Sequence, residues 1–100
     1  MFQEPHHHRA LEFKCKVNIE LKKYDYAHNI VNTLIEYFGD CTDCYVLRGR
    51  VLYSKGLYSE AFQDFHKVIH DLDPTLDTVA AYYYIASIHY RKGTIFFSSS

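Results

Sequence analysis

A self-similarity at a spacing of 34 residues constrains this chain more than any other feature. Tyr24-Asp25-Tyr26-Ala27 returns as Tyr58-Ser59-Glu60-Ala61. In the same register Leu11 aligns with Tyr45, Cys15 with Gly49, Val31 with Phe65, Leu34 with Val68 and Ile35 with Ile69. Tyr53-Ser54-Lys55-Gly56 then recurs as Tyr90-Arg91-Lys92-Gly93 after 37 residues, so the turn around Pro74 is about three residues longer. A period of this size denotes stacked supersecondary units, each burying its apolar face against its neighbours.

Within each period the apolar spacing is helical. Leu11, Cys15, Ile19 and Leu21 form a stripe that starts at Arg9 and breaks near Lys23-Tyr24-Asp25. Ala27, Ile30, Val31, Leu34, Ile35 and Phe38 follow the 3, 4, 7, 8 pattern of an amphipathic helix. Gly39 ends that run, glycine being the usual residue in the left-handed turn after a helix. A third run carries Tyr45, Val46, Gly49, Leu52 and Tyr53, with N-cap candidates in Asp40, Thr42 and Asp43, and stops at Lys55-Gly56. A fourth spans about Tyr58 to Leu72 and closes at Asp73-Pro74, because the residue before proline is pushed out of helical geometry. A fifth spans about Leu76 to Arg91, ends at Gly93, and by spacing turns Tyr82, Ile85, Ala86, His89 and Tyr90 inward. Short turns between such helices make them antiparallel neighbours.

Residues 42–75 carry the clearest unit. An aromatic (Tyr45) opens its first helix and a small residue (Gly49) marks the helix crossing. Gly56 lies in the turn, followed by Tyr58, Ala61, Phe65 and Pro74. This order resembles the tetratricopeptide repeat family. The resemblance covers about residues 9–93: repeat 1 over about 9–41, repeat 2 over about 42–75 and a partial repeat 3 over about 76–93, between a leader (1–8) and a tail (94–100). It departs from the family pattern at Cys15, Asn18 and Val68, and the first unit lacks the closing proline. It implies an all-α fold, a right-handed superhelical array of antiparallel hairpins (an α-solenoid of about five helices).

The resemblance also implies a job: a protein–protein interaction module or scaffold, not an enzyme, that docks a partner peptide in a concave groove lined by the first helix of each hairpin. The family's groove positions fall on Phe13 and Lys16, on Leu47, Arg50 and Tyr53, and on Tyr83, Tyr84, Ser87, Tyr90 and Arg91. Aromatic and Arg side chains are the common anchors of interfaces. Some members clamp the C-terminal carboxylate of chaperones. At the clamp positions this chain has Glu12, Lys16, Leu47, Ala80 and Tyr84, of which only Lys16 suits a carboxylate, so no chaperone-tail clamp is expected.

Composition sets the remaining bounds. A formal charge of −1 provides no field toward nucleic acid or anionic membranes, so neither is an expected partner. No run approaches the eighteen or so apolar residues of a span, and the start lacks a signal-peptide core. Three cysteines are too few for a disulfide scaffold, which suits a reducing, cytoplasmic setting. Cys41-Thr42-Asp43-Cys44 is a lone C-x2-C without a second pair, so it reads as turn and packing cysteines rather than a zinc site. His6-His7-His8 reads as a solvated leader, and His66 and His70 as exposed residues on one helix face. No catalytic motif, cofactor or metal site is expected. The half-repeat end, with Ile95-Phe96-Phe97 beyond it, suggests an alternative role. The chain would then be an assembly piece that forms a homo-oligomer through its C-terminal helix, or a truncated fragment.

Overall fold

The computed structural model describes residues 5–39 and 41–92, with side-chain detail for 8–39 and 41–91. Met1–Glu4, Asp40, Gly93 and the expected tail with Ile95-Phe96-Phe97 lie outside the described residues. Those described form five helices and no strand: α1 (Pro5–Glu20), α2 (Tyr24–Phe38), α3 (Thr42–Ser54), α4 (Tyr58–His70) and α5 (Asp77–Lys92). None of them is long and apolar enough to cross a membrane.

Each helix packs on the next in sequence, and α3 also touches both α1 and α5. Among the described residues α2 and α4 do not meet. The first helices of successive hairpins therefore form one continuous layer, and the second helices are splayed behind it. Two apolar clusters fill the space between. One joins Cys15, Ile19, Ala27, Ile30, Val31, Leu34, Leu47 and Val51. The other joins Val46, Leu52, Ala61, Phe65, Val68, Ala81 and Ile88.

The helix crossing in the second hairpin depends on Gly49. A Cβ there would stand 2.5 Å from Cζ of Phe65. The Phe65 ring is fully buried and lies nearly parallel to Tyr84, 5.1 Å between centroids. In the first hairpin the same two positions hold Cys15 and Val31, a larger and a smaller side chain, both fully buried. The exchange keeps the sum of volumes near constant, as close packing demands. Asn18, out of place in an apolar register, donates to the Lys14 carbonyl at 2.8 Å, so its burial leaves no polar group unpaired.

The turns follow their residues. Gly39 (φ 69°) and Gly56 (φ 84°) occupy the left-handed region that side chains disfavour. Of the expected N-cap residues of α3, Asp40 lies outside the described residues, and Thr42 and Asp43 lie inside the helix; Cys41 holds the N-cap position with no side-chain capping bond. Thr42 and Asp43 are engaged elsewhere. Thr42 Oγ1 donates to the Asp73 carbonyl at 2.8 Å, and Asp43 accepts from Thr75 Oγ1 at 2.9 Å. Thr75 Oγ1 also accepts from the Asp77 amide, and the Thr75 amide donates to Thr78 Oγ1. These two bonds start α5 much as a capping box does, except that the Thr75 hydroxyl accepts from Asp77 and not from Thr78. The longer turn after α4 is thus bound to the start of α3.

Three expectations need correction. α1 begins at Pro5 rather than Arg9, so residues 5–8 belong to the helix and not to a leader. Proline suits the first turn of a helix, and the His8 ring lies 4.2 Å from that of Phe38. Leu21 falls in the turn after α1 and is exposed. The inward face of α5 is Ala81, Tyr84, Ile85 and Ile88, whereas Tyr82, Ala86 and Tyr90 are exposed. Stacking of Tyr84 on Phe65 sets that rotation.

Between α3 and α4 lies a polar tie that sequence periodicity does not reveal. Arg48 grips Asp64 through two bonds, Nε to Oδ2 at 2.8 Å and Nη2 to Oδ1 at 2.9 Å. Asp64 is buried, and the Arg48 guanidinium also lies over the Tyr45 ring. Bidentate charge-assisted pairing of this kind fixes geometry as well as charge.

Candidate functional site

The layer formed by α1, α3 and α5 carries the candidate surface. Five of the ten expected groove residues converge: Tyr53, Tyr83, Ser87, Tyr90 and Arg91 line an open depression of about 500 Å³ together with Ala86. Arg91 Nε donates to the Tyr53 hydroxyl at 2.6 Å, and its guanidinium lies over the Tyr53 ring. Tyr84 does not line the depression and lies edge-on to both Tyr53 and Tyr83.

The rotation of α5 creates an outward stripe as well. Val79, Tyr83, Ala86 and Tyr90 are all exposed, at intervals of four, three and four residues. This is the spacing of one helix face presented to another helix. Tyr83 is 66% exposed and Tyr90 73%, values that leave most of each ring available.

The other expected groove residues lie elsewhere. Leu47 is 1% exposed and belongs to the core of the first cluster, so it is not a surface anchor. Its neighbours Val46 and Leu52 are buried in the second cluster, and α3, packed by helices on several sides, has little free surface. Phe13 is exposed on α1 but does not line the depression. Lys16 and Arg50 act electrostatically on a different group, the carboxylates around Asp77. Burial above all, and then Asp43, raise the Asp77 carboxyl above its ordinary value, while Lys16 and Arg50 pull it down. The start of α5 therefore carries a mixed cluster, Asp43 and Asp77 with Lys16 and Arg50, and Arg91 lies near its end.

A second cluster, at the junction of α1 and α3, combines residues that the sequence left apart. His8 and Glu12 come from α1, one turn apart on the same face. Cys41 and Cys44 come from the start of α3. Their donor atoms all lie within 4.8 Å of one another. His8 Nε2 is 3.3 Å from Glu12 Oε2, 3.4 Å from Cys44 Sγ and 3.7 Å from Cys41 Sγ. The Cys41 thiol is drawn down to about 6, chiefly by the hydrogen bond from Cys44 and against the effect of burial. Cys44, the donor of that bond, is pushed upward by it and by burial. Cys15 differs from both: burial raises it to about 11, which suits an inert core thiol.

His66 and His70 are exposed on α4 with ring centroids 4.1 Å apart. No protein-family model matches the chain, and no curated protein or solved structure matches it.

Proposed function

We propose that this chain is a tetratricopeptide-like interaction module that docks an amphipathic helical segment of a partner protein along α5. The observation that supports the reading is the outward stripe of Val79, Tyr83, Ala86 and Tyr90, flanked by Tyr53 and Arg91 around the depression. A helix packs against such a stripe with apolar side chains at matching three- and four-residue intervals. Charge chooses its orientation. An acidic side chain of the partner is attracted to Arg91, and a basic one to the Asp43 and Asp77 carboxylates, which Lys16 and Arg50 partly offset. These groups mark opposite ends of α5, about 20 Å apart at the rise of a helix. The right-handed superhelical array and its repeat boundaries belong to the same proposal, supported by the contact between successive first helices.

The test is selection of amphipathic peptides on the purified chain, followed by affinity measurement with variants. Tyr83→Ala and Arg91→Glu each weaken binding about tenfold or more, the usual effect of removing an interface anchor. Peptides whose affinity is indifferent to both substitutions contradict the reading.

A second reading has the same surface occupied by another copy of the chain. Exposure of Leu76 (93%) and Val79 (72%), in addition to the tyrosines, favours it. Light scattering across a concentration series separates the two: a constant monomer mass leaves the stripe for a different protein, and a dimer weakened by Tyr83→Glu assigns it to self-association.

A further inference from the structure

The cluster at the α1–α3 junction has the composition and spacing of a metal centre. Four side chains of three chemical kinds converge there: two thiols, an imidazole and a carboxyl. They arrive as two two-donor arms. One arm is His8 and Glu12, four residues apart and so on one face of α1. The other is the C-x2-C pair, with Cys41 extended at the N-cap (φ −91°, ψ 119°) and Cys44 in the first turn of α3. This backbone geometry lets both sulfurs face the same point.

The three separations that meet at His8 Nε2 match the edges of a tetrahedron, and all four donor atoms lie within 4.8 Å of one another. With metal–sulfur bonds of about 2.3 Å and metal–nitrogen or metal–oxygen bonds of about 2.0 Å, the edges of a tetrahedral zinc site measure about 3.3–3.8 Å. The three separations from His8 Nε2 are 3.3, 3.4 and 3.7 Å. A single imidazole N–H can be well directed at only one of the three atoms around it. Convergence of two sulfurs and a carboxylate oxygen on one nitrogen is better accounted for by an electrophile shared among all four. Burial favours the same conclusion. Cys44 is fully buried, and the His8 and Glu12 side chains are 24% and 16% exposed. The Phe38 ring beside His8 restricts the imidazole plane.

We propose that His8, Glu12, Cys41 and Cys44 bind one zinc ion that fastens the first turns of α1 to the start of α3. Thiolate and imidazole donors select zinc over magnesium or calcium, which take oxygen donors. Four protein ligands fill a tetrahedral shell, so the site is structural and holds no open position for a substrate. The thiols lose their protons on binding, and the ion takes the place of those protons among the donors. The centre explains a fold feature as well: it gives the helical turn from Pro5 to His8 something to hold it, ahead of the Arg9 start that the sequence pattern gives.

The experiment uses the full chain, reduced and stripped of metal, then titrated with Zn²⁺ or Co²⁺. The expected result is one equivalent of zinc per chain. Cobalt gives the thiolate charge-transfer band and the intense visible bands of tetrahedral coordination. Zinc raises Tm by at least about 10 °C at a hundred times its Kd. Cys41→Ser and Cys44→Ser each weaken binding by about 100-fold or more, and His8→Ala and Glu12→Gln weaken it to a lesser degree. The His6→Ala/His7→Ala double variant binds as the unaltered chain does. The cobalt spectrum needs no variant, so it decides the matter even where a substitution unfolds the chain. Three results overturn the proposal: cobalt bands of octahedral, thiolate-free coordination; binding that survives loss of both cysteines but not of His6 and His7; and no stoichiometric zinc in the reduced protein.

Discussion

Substitution of Gly49 by alanine opposes two effects of similar size, and the structure decides between them. Alanine in place of glycine in a helix interior ordinarily stabilises by about 1 kcal/mol. Here the new Cβ meets Phe65 Cζ, Cε1 and Cε2 at 2.5, 2.6 and 2.9 Å. Carbon atoms prefer about 3.5–4.0 Å, so the ring must retreat by about 1 Å. It has little room to do so, being fully buried and stacked on Tyr84. Overpacking of this kind costs about 1–3 kcal/mol, and three simultaneous contacts put Gly49→Ala near the upper end. The net loss is then about 1–2 kcal/mol, a fall in Tm of about 5–15 °C for a chain of this size. Far-ultraviolet circular dichroism during thermal and urea unfolding measures it, since the chain has no Trp. A double-mutant cycle with Phe65→Leu supplies the sharper criterion. The smaller side chain restores room at the crossing, as Val31 does opposite Cys15, so the pair couples favourably by about 1 kcal/mol. Equal or higher stability of Gly49→Ala, or strict additivity in the cycle, would falsify the packing account.

Other expectations follow from the same geometry. Arg48→Ala leaves the buried Asp64 carboxylate unpaired and costs about 3 kcal/mol in urea unfolding, whereas Arg48→Ala/Asp64→Ala costs less than the sum of its parts. Leu47→Ala destabilises by about 2–5 kcal/mol because the side chain is in the core, while Tyr83→Ala changes stability by no more than about 0.5 kcal/mol. His28 is held below its ordinary value of 6.5, first by burial and then by Lys55 and Arg48. The folded state therefore resists protonation there. This stability contribution is full above 6.5 and is lost as pH falls through the depressed folded value. His28→Gln accordingly flattens the acid side of the stability–pH curve, as chemical unfolding at a series of pH values shows.

Helix positions were legible because they rest on local signals. Gly39, Gly56 and Pro74 mark the ends, and α2 and α4 alternate apolar and polar faces clearly enough to name their buried residues. α5 was legible as an element but not as a face. It is apolar nearly all round, with Tyr82, Tyr83, Tyr84, Ile85 and Ile88, so periodicity does not choose a side. The choice comes from Phe65, in another helix. Leu47 was misplaced for a related reason: a family groove position becomes core once α1 and α2 press on α3. The four-donor cluster had only half a local signal, the lone C-x2-C of Cys41 and Cys44. His8 is separated from Cys41 and Cys44 by 33 and 36 residues, and a two-cysteine motif looks incomplete until α1 is laid beside α3. The Arg48–Asp64 tie was likewise hidden, because nothing in a helical pattern pairs charges across a turn.

The account's central claim is that the exposed face of α5 is a docking surface. Backbone chemical-shift mapping of the labelled chain with a selected amphipathic peptide tests it most directly. The account predicts saturable shifts at Tyr53, Tyr83, Ser87, Tyr90 and Arg91, with little change along α2 or at His66 and His70 on α4. Shifts centred on α2 and α4, with the α5 stripe unmoved, would contradict it.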